Sequence, residues 1–173
     1  LSVKSSLDIL TAKKDGKVGI IFGTVMSRLD PNDNWTRTGM WCQAQCHGVG
    51  HGHLAYYQAL EREGVLQFIR NTEDLENVVT AWENPAADTP LGLVLAMESA
   101  DPILDPDQVP EWYDLGLRMV SISHYGVSAY AHGTGTEGGL VGQGKALRPA
   151  WMDDRYCIGF AIDCLLGARE ATS

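Results

Sequence analysis

Two short apolar runs within residues 91–124, each ending in a side chain that can do chemistry, constrain the fold of this chain more than any other feature. Residues 92–98 end at Glu98, and residues 117–124 end at His124. Both runs have the length and composition of buried strands. Residues 107–116 between them have the amphipathic spacing of a short helix that stops at glycine. We therefore predict a strand-helix-strand unit with Glu98 and His124 on one rim, because the C-terminal ends of parallel strands face the same side.

The residues before this unit alternate between strand and helix patterns. Residues 18–24 predict a buried strand, 26–40 a surface loop without periodicity, 53–64 a helix and 65–70 a short strand. Alternation of this kind is typical of an α/β protein with a mostly parallel sheet.

The clearest amphipathic pattern follows the short strand. Thr72 has the residue type of a helix N-cap, and acidic residues follow it in the first turn. The pattern predicts that one face of this helix is apolar and buried, and that face consists of Leu75, Val78, Val79 and Trp82.

Composition and charge exclude several classes of partner. The formal net charge of -9 argues against nucleic acid and against anionic membrane surfaces, both of which need clustered Lys and Arg. We expect no membrane-spanning segment, because no apolar run approaches about 18 residues. The four cysteines do not make a disulfide framework in a chain of 173 residues, so a reducing, cytoplasmic compartment is favoured.

A cluster of thiols and imidazoles at residues 42–53 is a second candidate site. Cys42, Cys46, His47 and His51 are residue types that suit zinc. Their spacing fits no zinc-finger pattern, and the other interpretation is a loop that packs on the rim of the fold without metal, with one histidine near the substrate. A non-catalytic zinc-binding module that uses these four residues is therefore the alternative function.

Several of these segments together resemble the membrane dipeptidase family (renal dipeptidase, peptidase M19) of the amidohydrolase superfamily. The strongest likeness is residues 113–124, YDLGLRMVSISH, which resemble that family's Leu-Gly-Val-Arg-Tyr-Leu-Thr-Leu-Thr-His signature. The strand that ends in Glu98 and the glycine-rich residues 138–145 add to it. The likeness covers roughly residues 5 to 147.

The resemblance implies a fold, a cofactor and a reaction. The fold would be a TIM-type (β/α)8 barrel, of which this chain carries roughly the second to fourth strand units. Two zinc ions at the C-terminal rim would hydrolyse a dipeptide or a similar small amide through a metal-activated water. Glu98 would be a catalytic residue whose carboxylate bridges both ions, and His124 would bind the substrate and polarise its carbonyl group. A small peptide substrate and, in the complete protein, a homodimer are the expected partners.

The departures from the family pattern are equally specific. The family's acid is commonly followed by Gly-Gly-His, whereas Ser99, Ala100 and Asp101 follow Glu98, which indicates a divergent branch. The family's other metal ligands would fall before Leu1 and after residue 147. We expect residues 1–147 to be a partial metal-dependent hydrolase barrel and residues 148–173 to be a tail that does not match, through truncation or a shifted reading frame.

A closed barrel needs about 250 residues. We therefore expect the chain alone to be inactive and to expose sheet edges. A metal-free binding domain of the same shape remains a third interpretation, since a fold does not dictate a function.

Overall fold

The computed structural model describes residues 18–29, 39–124 and 126–133. In chain order, its elements are β1 (Ile20–Met26), β2 (Arg28–Leu29), β3 (Gly39–Met40), α1 (Gln43–Arg62), β4 (Leu66–Phe68), α2 (Thr72–Glu83), β5 (Leu91–Glu98), a 3-10 helix (Pro106–Gln108), α3 (Val109–Asp114) and β6 (Leu117–Ser121). No helix of this described part is both long and apolar enough to span a lipid bilayer.

The main sheet is built around β5. β1 pairs with β5 along its whole length, β4 pairs with the first residues of β5, and β6 pairs with the last four, all in parallel register. A separate parallel pair joins β2 to β3. The predicted parallel α/β architecture is confirmed, and its strand-helix-strand order is that of part of a TIM-type barrel.

One face of β5 is completely covered by the apolar core. Leu93, Leu95 and Met97 are at most 1% exposed and lie in the main apolar core together with Trp112. On the other face, Val94, Ala96 and Glu98 are half-buried. This alternation directs the side chain of Glu98 to the more open face of the sheet.

Helix α1 begins ten residues earlier than the sequence pattern predicts. Its buried side is formed by Cys46, Gly50, Leu54 and Leu60. The stripe is hard to recognise because two of these residues are small, and Gly50 is needed for close packing, since a Cβ atom there would lie 2.9 Å from Pro102. The predicted start at residue 53 was therefore wrong, and the segment 43–52 is helical.

The same helix caps the edge of β1 that faces away from β5. Met26 N donates to Nδ1 of His53 over 3.2 Å, and the hydroxyl of Tyr57 donates to Thr24 O over 3.2 Å. Gly19, which is an odd number of residues from both Thr24 and Met26, directs its carbonyl group to the other edge of β1 and accepts from Gly92 N in β5. Successive residues of a strand direct their backbone groups to opposite edges. The side chains of α1 therefore supply hydrogen-bond partners to the edge of β1 that does not pair with β5.

Helix α2 differs from its prediction in two respects. Its N-cap is Asn71, whose Oδ1 accepts from Asp74 N at 2.8 Å, and Thr72 is the first helical residue. Of the predicted apolar face, only Val78 is buried, while Leu75 and Val79 are 40% and 48% exposed. The helical period was correct, but the helix buries a narrower stripe than its sequence suggests.

The helix and the second strand of the predicted strand-helix-strand unit are confirmed, but both are shorter than predicted. The helical segment between the strands consists of the 3-10 turn and α3, and it ends before Gly116, which has a φ of 108°. β6 ends at Ser121, three residues earlier than predicted. Beyond this strand end, Ile122 O accepts from Ala100 N and from Ser128 Oγ, and Ser121 Oγ donates to Ser123 O.

The predicted loop 26–40 contains the short strands β2 and β3. Residues 30–38, and residues 134–173 with the glycine-rich segment and the predicted tail, lie outside the described part of the chain.

Removal of core volume from β5 should be costly. We expect Leu95→Ala to lower the free energy of unfolding by about 2–5 kcal/mol, because Leu95 is fully buried and its loss leaves a cavity. Leu75→Ala, a matched change at an exposed position, should cost less than about 0.5 kcal/mol. Urea denaturation followed by tryptophan fluorescence measures both values, and equal losses would contradict this view of the core.

Candidate functional site

Glu98 and His124 lie side by side at the C-terminal rim of the sheet. Nδ1 of His124 is 3.1 Å from Oε1 of Glu98, and the two side chains are 24% and 45% exposed. Glu98 is the last residue of β5, and His124 follows β6, the strand that pairs with the end of β5. The parallel register therefore delivers an acid and a base to one accessible place.

A shallow hollow adjoins this pair. Its walls include His124, Arg28, Ser99, Asp101 and Ser128. Arg28 comes from the segment after β1, and Ser128 from the loop after His124. The hollow is thus built from the C-terminal ends of three strands, which is the usual place for a ligand site in parallel α/β folds.

Asp101 lies at the base of the hollow and is completely buried. Burial raises the pKa of this carboxyl group above its ordinary value, while hydrogen bonds from Leu29, Ala129 and Ser99 and the charge of Arg28 oppose the increase. The sequence analysis noted Asp101 only as a departure from the family pattern. Its role could not be recognised there, because two of its hydrogen-bond donors are 72 and 28 residues away in the sequence.

The Cys/His cluster does not come together. Cys46 is buried, Cys42 is exposed, and the two histidines lie on another side of α1. Nδ1 of His47 hydrogen-bonds to Pro102 O at 2.8 Å, and the ring of His51 stacks on Trp112 with centroids 4.5 Å apart. Because neighbouring helical residues point about 100° apart, Cys46 and His47 lie on adjacent faces of α1.

Two histidines of α1, His51 and His53, have pKa values below the ordinary value for histidine. Burial lowers the pKa of His51, and the charge of His47 lowers it further. Burial also lowers the pKa of His53, whose Nδ1 accepts the hydrogen bond from Met26. Both rings therefore disfavour a positive charge.

Metal coordination by the described residues alone would be incomplete. Across residues 18–29, 39–124 and 126–133, no three or more His, Cys, Asp or Glu side chains are grouped so that they could hold a metal ion. A catalytic zinc takes three protein ligands and a water. Glu98 has an accessible carboxylate on the rim, but the described residues do not supply a complete ligand set.

Comparison with solved structures identifies the class of fold. The chain superposes on the dipeptidase AC, a metallopeptidase of family M19, with a TM-score of 0.65 and 21% identity over 91% of this chain and 47% of that one. A probable dipeptidase, PvdM, from Pseudomonas aeruginosa gives a TM-score of 0.66 and 13% identity over 98% of this chain and 44% of that one. An amidohydrolase from the same organism gives 0.55 and 15%, over 91% and 48%.

The chain therefore has an α/β fold like that of part of an M19 dipeptidase or amidohydrolase barrel, and it spans under half the length of these structures. No protein-family profile matches its sequence, and no curated protein matches it. The fold predicted from the resemblance is confirmed, as a divergent and partial form.

The two cysteines near the rim should differ sharply in reactivity. Burial raises the pKa of the Cys46 thiol to about 11, whereas Cys42 is exposed. Since the thiolate is the reactive form, iodoacetamide at pH 8 should alkylate Cys42 and leave Cys46 largely unmodified, with Cys46 reacting as the pH approaches 11. Peptide mass spectrometry resolves the two sites. Equal labelling at pH 8 would contradict the buried position of Cys46.

Proposed function

We propose that this chain is part of a zinc-dependent dipeptidase that hydrolyses the amide bond of a dipeptide or a similar small substrate. The observation that carries the proposal is the pairing of Glu98 with His124 at the C-terminal rim of a partial barrel. The likeness to M19 dipeptidase and amidohydrolase structures supports the same reaction class. Because the chain spans under half of those structures, we assign the activity to a protein that also supplies the remaining barrel strands.

Glu98 would be a metal ligand in this site. Its carboxylate has two oxygens, so it can serve two neighbouring ions, and its side chain is accessible. Bound zinc would supply a Lewis acid and an activated water. The other ligands would come from residues outside the described part, because the described residues do not complete a set.

His124 would orient the substrate. The carboxylate of Glu98 can only accept a hydrogen bond, so Nδ1 of His124 carries the proton between them. From this position the imidazole ring would face the substrate and stabilise the charge that develops on the scissile carbonyl oxygen.

The zinc-module alternative has less support. It needs Cys42, Cys46, His47 and His51 to converge, and no three or more potential ligands are grouped in this way among the described residues. A structural zinc site takes four ligands at bonding distance. Without a rearrangement of the helix, this segment packs against the core as an ordinary helix face.

Substitutions in the complete protein should separate metal binding from catalysis. Glu98→Gln should lower zinc affinity by about 100-fold or more and abolish dipeptide hydrolysis, since it removes a charged ligand. His124→Ala should retain zinc and lower kcat by about 100- to 1000-fold, as expected for the loss of a carbonyl-polarising donor. Metal analysis and a dipeptide hydrolysis assay measure both effects.

Two matched variants control this experiment. Asp88→Asn removes an exposed acid far from the rim and should change nothing. Cys42→Ser should also leave zinc content unchanged. Loss of zinc in Cys42→Ser together with full zinc in Glu98→Gln would overturn the proposal in favour of the Cys/His cluster.

A further inference from the structure

One fully buried carboxylate connects three separate segments of the rim. Oδ2 of Asp101 accepts from Leu29 N and from Ser99 Oγ, each at 2.8 Å, and Oδ1 accepts from Ala129 N at 2.8 Å. All three partners are donors. A carboxylate offers only acceptor sites, so this environment is matched to an ionised aspartate.

Each of these segments carries part of the candidate site. Ser99 follows Glu98 directly in the chain. Leu29 belongs to β2, next to Arg28, and Ala129 lies in the loop that follows His124. A displacement of Asp101 would therefore be passed to the strand end of Glu98 and to the loop of His124 together.

The backbone at Ser99 needs this support. Ser99 is the one described non-glycine residue with a positive φ, at 78°, and its side chain is completely buried. Left-handed backbone is unfavourable for a non-glycine residue, because its Cβ atom approaches the following carbonyl oxygen. The hydrogen bond from Ser99 Oγ to Asp101 offsets part of this cost and fixes the turn immediately after Glu98.

Hydrogen bonds of two serine side chains also hold the loop after His124. Ser128 Oγ donates to Ile122 O and accepts from Tyr130 N, while Ser123 Oγ donates to His132 O. These bonds fold residues 126–132 onto the end of β6. Asp101 then ties this folded loop to β5 through Ala129, which completes the connection between the two strand ends.

We propose that Asp101 is a positioning residue that sets the separation of Glu98 and His124. It touches neither reacting group and acts through Ser99 on one side and Ala129 on the other. The geometry of the site would therefore depend on Asp101, three residues after the end of β5, in addition to Glu98 at the end of β5. The geometric part of the proposal is independent of the reaction, whereas its effect on zinc binding rests on the proposed function.

Asp101→Asn is the sharpest test because it keeps the shape of the side chain. An asparagine has one acceptor oxygen and one NH2 group. In either orientation of the amide, a backbone N–H, of Leu29 or of Ala129, would face the NH2 group and lose its acceptor. The change should thus release one of the connected segments without adding volume.

The readout is the contact between the two site residues in the folded protein. In the wild-type chain and in Asp88→Asn, nuclear Overhauser effects should connect the γ protons of Glu98 to the ring protons of His124. In Asp101→Asn, these effects should be lost while the methyl resonances of Leu93 and Leu95 stay in place. A merely structural role would lower the free energy of unfolding and leave the contact intact in the molecules that remain folded.

A second variant keeps the test decisive if Asp101→Asn does not fold. Ser99→Ala removes only the bond from Ser99 Oγ, and it should weaken the Glu98–His124 contact in a folded chain. If the contact is unchanged in every folded variant of Asp101 and Ser99, the proposal is wrong.

Zinc affinity of the complete protein separates this proposal from the proposed function. If the wild type binds zinc through Glu98, Asp101→Asn should weaken binding by about 10- to 100-fold, as for other residues that orient a ligand. Absence of zinc from the wild type would overturn the dipeptidase proposal alone. The contact measurement would still decide the role of Asp101.

Discussion

The parallel pairing of β5 with its neighbours is the constraint on which the rest of the structure depends. β1 pairs with β5 up to Glu98, and β6 pairs with the last four residues of β5, both in parallel register. Because one face of β5 is sealed by the core, the register is fixed, since a shift of one residue would bury Glu98 and expose Met97. The position of the acid is thus a consequence of hydrophobic burial along the strand.

The covered and open faces of the sheet differ in a way that suits a partial barrel. Leu93 and Leu95 on the helix side are fully buried, whereas Phe22 is 62% exposed. In a closed barrel, the inward side chains of several strands fill the interior together. The chain spans under half of the structures it resembles, and a complete barrel would cover such residues with its other strands.

The strands and their C-terminal residues could be predicted from the local hydrophobic pattern of the sequence. The strands at 92–98 and 117–124 follow from continuous apolar runs, and from them follows the meeting of Glu98 with His124. The first half of α1 was missed because its buried stripe consists of Cys46 and Gly50, which carry little hydrophobic signal. Asp101 was missed as a connecting residue because burial of an acid becomes recognisable only when its distant donors are known.

We propose that Glu98, supported by the residues around it, is part of a hydrolase metal site. A crystal structure of the complete protein grown with zinc, with anomalous data collected at the zinc absorption edge, would test this proposal. We expect an anomalous peak about 2.0–2.2 Å from a carboxylate oxygen of Glu98, with the imidazole of His124 beside it. Peaks on the side chains of Cys42 and His47, with none at Glu98, would contradict it.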